Sequence, residues 1–313
     1  MATAAETIRP PHRLDDVPGW FPVLDQTLFA WFLERQESAG LRGDLLEVGV
    51  YMGKSAIFTG LHLQDGERFT VCDLFEGDAP DEANNAEATK SYSSLTRRAF
   101  EENYLSFHTA LPRVLQGPSS LVPGEVAARS CRFVHIDGSH LYEHVRDDIT
   151  AARDALLPGG VVVLDDFRSE HTPGVSVAVW EAVLNNGLRP VCLSTQKLYA
   201  TWDDPEPVQE QLLTMVRGRD DLHLSVQHAA GHRLVRVKSK KGMRAPDFPA
   251  SRHAEAPAPA TPEPLSPRPA PAAPQRTSGH GRSRARRLAV DLLPPLVTRA
   301  IRTARANRHA TAR

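Results

Sequence analysis

One apolar run ending in two glycines constrains this chain more than any other feature. In Asp44-Leu-Leu-Glu-Val-Gly-Val-Tyr-Met-Gly-Lys-Ser55 the run from Leu45 to Val50 reaches Gly49 and Gly53, and an apolar helical pattern follows. The pattern reads as strand, tight turn and helix start, which brings a nucleotide-like ligand against bare backbone. Two acidic clusters end later apolar runs. They are Asp137 in Phe133-Val-His-Ile-Asp-Gly-Ser-His140 and Asp165-Asp166 in Gly160-Val-Val-Val-Leu-Asp-Asp-Phe167.

Strand-like and helix-like runs alternate along residues 15–240. Strands are expected at 44–50, 68–73, 112–116, 132–137, 160–166, 188–193 and 196–202, and helices at 53–63, 95–106, 140–156 and 174–186. Leu24, Leu28, Phe29, Phe32 and Leu33 add a helix before the first strand. The first five strands are short and apolar throughout, as in a sheet covered on both faces. This alternation predicts a doubly wound α/β fold with ligands beyond the C-terminal strand ends. Gly49, Gly53, Asp73, Asp137, Asp165 and Asp166 all fall on that edge. A further strand pair, Leu222–Gln227 and His232–Val237, has no evident place in the sheet.

Charge divides the chain. From Lys241 onward there are 14 Lys and Arg against 4 Asp and Glu, a net of +10, while residues 1–240 carry 23 against 34, a net of -11. A body this acidic is expected to have no nucleic-acid partner. Residues 1–240 are read as one domain. Residues 241–281, rich in Pro and Ala, read as a disordered linker because they offer too little apolar surface to offset ordering entropy. Residues 282–313 read as a basic amphipathic tail, with Leu288, Leu292 and Leu296 at helical spacing and a break at Pro294-Pro295. No apolar run approaches the ~20 residues that span a bilayer. The N-terminus lacks a secretion-signal pattern, and Cys72, Cys131 and Cys192 form no Cys-x-x-Cys pair. A cytoplasmic protein with buried thiols is expected.

Several motifs resolve on spacing. Gly49-x-x-x-Gly53-Lys54-Ser55 is one residue short of the loop that cradles a polyphosphate, and Tyr51 replaces the middle glycine of a dinucleotide fingerprint. His140, Glu143 and His144 match an inverted zinc-protease pattern, but they follow a strand-ending Asp137-Gly138 and not a free-standing helix. Asp73 ends the second strand, where a carboxylate can accept ribose hydroxyls. Three carboxylates meeting at two neighbouring strand tips repel unless a cation joins them, and all-oxygen ligation suits magnesium better than zinc. His140, near the start of the next helix, has the residue type of a general base, with helix capping or substrate orientation as the alternative.

Together these residues resemble the class I S-adenosylmethionine-dependent methyltransferases, and within them the small metal-assisted O-methyltransferases that include macrolide-sugar methyltransferases and cephalosporin-hydroxylase-like proteins. The resemblance covers about 17–205. It rests on Gly19-Trp20-Phe21, on Glu47 to Ser55, on Asp137-Gly-Ser-His-Leu-Tyr142 with Val145 and Asp148-Ile149, on Gly159-Gly160 leading into Asp165-Asp166-Phe167 and on Pro173-Gly174-Val175. It implies a Rossmann-like, seven-stranded, mostly parallel sheet with an antiparallel last strand. It implies that Glu47, Gly49, Tyr51, Gly53 and Ser55 hold the methionine end of S-adenosyl-L-methionine. Asp73 would bind its ribose and Ser119 its adenine. Asp137, Asp165 and Asp166 would bind a divalent cation, with His140 and Asp137 catalytic. Ser139 departs from relatives that carry a second acidic residue there.

The expected reaction is methyl transfer to a hydroxyl of a sugar or glycosylated small metabolite, in a protein expected to form a homo-oligomer. Residues 76–93 are expected to close over the site as a lid. The alternative is a non-catalytic methyltransferase-fold scaffold whose basic tail binds a protein or membrane surface.

Overall fold

The computed structural model describes residues 10–79, 82 and 95–254. They lie in one compact unit that runs to residue 256. The chain runs through α1 (Val23–Ser38), β1 (Asp44–Val48), α2 (Lys54–Gly60), β2 (Phe69–Asp73), α3 (Arg97–Leu105), β3 (Arg113–Gln116), the short α4 (Val122–Glu125), β4 (Cys131–Ile136), α5 (Tyr142–Ala155), β5 (Leu156–Leu164), α6 (Pro173–Asn185), β6 (Arg189–Leu193), β7 (Leu198–Thr201), α7 (Glu206–Arg217), β8 (Leu222–Ala229) and β9 (His232–Ser239).

Strand periodicity of two explains why both sheet faces are buried. Leu45, Phe133, Val161 and Val163 point to one face, where α1, α2, α3 and α7 pack through Phe29, Phe58, Phe100 and Leu212. Their neighbours Leu46, Val134, Val162 and Leu164 point to the other, against α5 and α6 through Ile149, Val175 and Val179. Each apolar run therefore supplies two layers of core.

The strand order is β3-β2-β1-β4-β5-β7-β6-β9-β8. The strands from β3 to β5 are parallel, with Leu45 beside Phe69, Val134 beside Leu46 and Val162 beside Val134. β7 inserts antiparallel between β5 and β6. The sheet has nine strands and not seven, because the β8–β9 hairpin, left unplaced by sequence, joins through a parallel contact of β9 with β6. Val235 and Val237 of β9 join the core, which is what holds the added hairpin in the sheet. The chain order reverses between β1, whose neighbours are β2 and β4, so the crevice beyond their C-terminal ends is the expected ligand site.

The packed body extends through residue 254, past the boundary at 240 read from composition. Phe248 stacks on Phe58 at 5.5 Å between ring centroids and meets Phe107 edge-on. Ser251 N–H donates to His12 O, and Arg252 N–H to Ser106 O. One aromatic ring and a few backbone bonds anchor a stretch whose average composition is that of a linker. The rest of the linker and the amphipathic tail lie outside the described residues, as does most of the 76–93 stretch. Cys72, Cys131 and Cys192 are free and buried. Among the described residues no helix is long and apolar enough to cross a membrane.

Candidate active site

A cavity of about 860 Å³ opens beyond the C-terminal ends of β1, β2, β4 and β5. Gly49, Tyr51, Ser55, Asp73, Ser119, Asp137, His140, Asp165 and Asp166 all line it. Of the residues assigned from sequence, Glu47 and Gly53 stand behind its wall.

The first wall is the turn after β1. Gly49 has φ +78°, and a Cβ there would lie 2.0 Å from the carbonyl oxygen of Asp137. The glycine is needed because the tip of β4 crosses at contact distance, with Asp137 N–H bonded to Val48 O at 2.7 Å. Asp73 fixes the same turn. Its Oδ2 accepts from the N–H of Val50 at 2.7 Å and Tyr51 at 3.1 Å, and its Oδ1 from Phe75 at 2.7 Å. Burial pushes the Asp73 carboxyl up, and these three N–H groups oppose it. Carboxylate oxygens carry two lone pairs each, so the same side chain retains acceptor capacity toward the cavity. Glu47, fully buried, acts from beneath: Oε1 accepts from Ser55 Oγ at 2.5 Å and pairs with His135 Nδ1 at 3.0 Å. Gly53, at φ +94°, begins α2 against the Phe100 ring.

The second wall follows β3 and α5. Ser119 lines the cavity and bonds the side chain of Asp148, whose other oxygen, Oδ2, is buried without a hydrogen-bond partner. Burial raises the Asp148 carboxyl to about 6. A buried acceptor left open on a cavity wall suits a ligand that brings a donor.

The third wall holds the acids, and they divide. Asp165 is nearly buried and faces inward, where donor atoms of His135, Asp137 and Asp165 lie within 4.8 Å of one another. Lys197, from the turn between β6 and β7, is buried and makes an ion pair with Asp165 Oδ2 while standing 3.4 Å from His135 Nε2. Burial pushes the Asp137 carboxyl up, while the charges of Lys197 and His135 oppose the shift. Asp166 is not in this cluster. It adopts φ +52°, and its Oδ2 meets His140 Nε2 at 3.0 Å while its Oδ1 accepts from Ser169 Oγ at 2.5 Å. Burial disfavours the Asp166 carboxylate, but the bonds from His140 and Ser169 prevail and hold it below the usual range.

Of the expected metal set, Asp137 and Asp165 lie in one donor group with His135, where Lys197 pairs with Asp165, while Asp166 stands beside it on His140. The His140-Glu143-His144 pattern is not a ligand set: His140 pairs with Asp166, and His144 Nδ1 lies 2.9 Å from Ser139 Oγ. At the mouth, Trp20 is 74% exposed and stacks on Tyr51 at 5.8 Å.

The sequence reading gave no role to His135 or Lys197, and none to Asp148 beyond its place in the resemblance. His135 was detectable: it lies two residues before Asp137 on one strand and therefore shares its face. Lys197 carries no motif, since only the insertion of β7 beside β5 brings it to the cluster.

Residues 46–167 match the family model described as a methyltransferase domain. No curated protein matches the sequence. Among solved structures, the O-methyltransferase NovP is 18% identical, with 56% of this chain and 78% of that chain covered and a TM-score of 0.46. CalS11, a TDP-rhamnose 3'-O-methyltransferase of calicheamicin biosynthesis, is 20% identical, covering 58% of this chain and 81% of that chain at a TM-score of 0.37. TomG from Streptomyces achromogenes, an O-methyltransferase involved in tomaymycin synthesis, is 17% identical, covering 70% and 79% respectively at a TM-score of 0.31. None of the three reaches 25% identity or a TM-score of 0.5. The family match runs from β1 to the turn after β5, the parallel strands that build the cavity, so this stretch of the chain is similar to a methyltransferase domain.

Proposed function

We propose that the protein methylates a hydroxyl of a sugar or glycosylated small metabolite, with His140 as the base. The observation that carries this reading is the His140–Asp166 pair, 3.0 Å apart, on the wall of the cavity that also holds Gly49, Tyr51 and Asp73. The residues present fit the cofactor: a glycine turn that admits close backbone approach, acceptors at Asp73, and the unpartnered Asp148 Oδ2 beside Ser119. When bound, S-adenosylmethionine supplies an electrophilic methyl carbon on a sulfonium.

The chain's own groups do the rest. Asp73 Oδ2 holds the β1 turn through the N–H groups of Val50 and Tyr51, and the carboxylate would accept the ribose hydroxyls. Ser119 and Asp148 receive the adenine end. Asp166 Oδ2 pairs with His140 Nε2, which orients the ring and would stabilise the imidazolium after proton uptake. With that cofactor bound, His140 would take the acceptor hydroxyl proton while the methyl group passed to oxygen and S-adenosylhomocysteine left. Positioning the acceptor hydroxyl against the bound cofactor would supply about 7–11 kcal/mol of the barrier reduction. The sugar class rests on the motif resemblance, and the exposed Trp20 face at the mouth offers a flat apolar surface for a ring. No step passes through a divalent ion, because the acidic cluster already contains the Lys197 ammonium.

Calorimetric titration of S-adenosylhomocysteine into the full chain tests the reading. The expected result is micromolar binding at one site per chain. Folded protein that takes up none would overturn it.

A further inference from the structure

The acids at the tips of β4 and β5 are compensated from within the chain, and the compensating group is built in from both ends. Lys197 is 1% exposed. Its backbone is clamped by Ser194: Ser194 N–H donates to Lys197 O at 3.0 Å, and Lys197 N–H donates to Ser194 Oγ at 3.1 Å. Its ammonium pairs with Asp165 Oδ2 and lies 3.4 Å from His135 Nε2. His135 is held by Glu47 Oε1 on its other nitrogen, which turns the Nε2 lone pair toward Lys197. Asp165 Oδ1 accepts from Asp166 N–H, so Oδ2 is the oxygen left for the cation. The lone pairs a divalent ion needs, on His135 Nε2 and Asp165 Oδ2, are those the ammonium engages. An incoming divalent ion would meet a like charge already paired with the lone pairs it needs.

We propose that Lys197 is the resident cation of this cluster, that its ammonium takes the position a divalent ion would occupy between His135, Asp137 and Asp165, and that the protein works without divalent metal. Lys197 is then a positioning residue: it holds the two carboxylates together at the cavity wall. This departs from the metal-assisted pattern implied by the sequence resemblance.

The test titrates Mn²⁺ alone into chelator-stripped, full-length protein by calorimetry, with melting temperature as a second readout. The wild type is expected to take up no Mn²⁺ below millimolar concentration. Lys197→Met, freed of the ammonium, is expected to bind one Mn²⁺ per chain at least 100-fold more tightly and to gain melting temperature on its addition. Lys197→Arg, which keeps the charge, is expected to bind none. Wild-type protein that binds one Mn²⁺ per chain at micromolar concentration overturns the proposal, as does a folded Lys197→Met that binds none. Should Lys197→Met not fold, the wild-type and Lys197→Arg titrations still decide. These readouts stand apart from methyl transfer, so they can fail while the proposed activity holds. If the activity is present, wild-type turnover is expected to be unchanged by chelator.

Discussion

The two halves of the sheet serve different ends. From β3 to β5 the strands run parallel, so every strand tip falls on one edge, and those tips carry Gly49, Asp73, Asp137 and Asp165 to one cavity. From β7 to β8 most neighbours are antiparallel, and turns alternate between edges. Of that half only Gln196 and Lys197, in the β6–β7 turn, reach the cavity. Parallel pairing concentrates chemistry by construction; an antiparallel hairpin can deliver a residue only where its turn happens to face the site. The parallel half should therefore tolerate change at its tips poorly, and the distal hairpin should tolerate it well.

The largest expected effect is at Gly49. A Cβ there meets the Asp137 carbonyl oxygen at 2.0 Å, in a backbone with φ +78° that an L side chain resists. Left-handed strain of about 1–2 kcal/mol adds to the cost of pushing β1 and β4 apart. Gly49→Ala is expected to lose at least about 4 kcal/mol, read by urea denaturation. A loss under about 1 kcal/mol would show that the rim is not packed as tightly as the comparison requires.

Next comes chemistry without stability. His140→Ala is expected to lower turnover by about 10²–10⁴-fold while the S-adenosylhomocysteine dissociation constant stays within about threefold. Asp166→Asn, which removes the carboxylate that orients the ring, should fall between that variant and the wild type. A drop below tenfold in His140→Ala would remove the base role and leave His140 as a cap.

The parallel half was the legible half, for the same reason that it holds the site. Its strands are buried on both faces, so each reads as an apolar run, and each acid that ends a run marks a tip. The reading failed where neighbours in space are not neighbours in sequence. Asp165 and Asp166 look like one ligand pair, yet adjacent residues tend to point to opposite sides, and here one faces Lys197 and the other His140. Lys197 could not be placed without knowing that β7 pairs with β5. The helix Glu206–Arg217 and the anchoring of Phe248 were missed because local charge and proline outweighed a few buried apolar positions.

A third expectation sets the rim's function against its stability. Burial raises the Asp148 carboxyl from the ordinary 3.8 to about 6. The folded state therefore binds more protons than the unfolded one between those values, and stability falls as pH rises from about 4 to about 6. Above that window the loss is complete and amounts to about 3 kcal/mol at most. Asp148→Asn has no such titration. It should match the wild type below pH 4 and exceed it at pH 8, read by urea midpoints at both pH values. Bound S-adenosylhomocysteine should narrow the gap by giving the wild-type Oδ2 a donor. Equal stability of the two proteins at pH 8 would mean that Asp148 finds a partner without ligand.

The smallest expected effect is the control for the first. Gly231, at the tip of the β8–β9 hairpin, has φ +78°, the same as Gly49, but a Cβ there has nothing within 4 Å. Its neighbour Ala230 already tolerates φ +51°. Gly231→Ala should then cost only the left-handed strain, about 1 kcal/mol, or about 2–4 °C in melting temperature for a body of this size. It should leave S-adenosylhomocysteine binding unchanged, because no residue of that hairpin lines the cavity. Identical torsion angles with a several-fold difference in cost would separate backbone strain from the crossing of β4 over the β1 turn. A loss at Gly231 as large as that at Gly49 would mean that strain alone accounts for both, and that Gly49 owes nothing to Asp137.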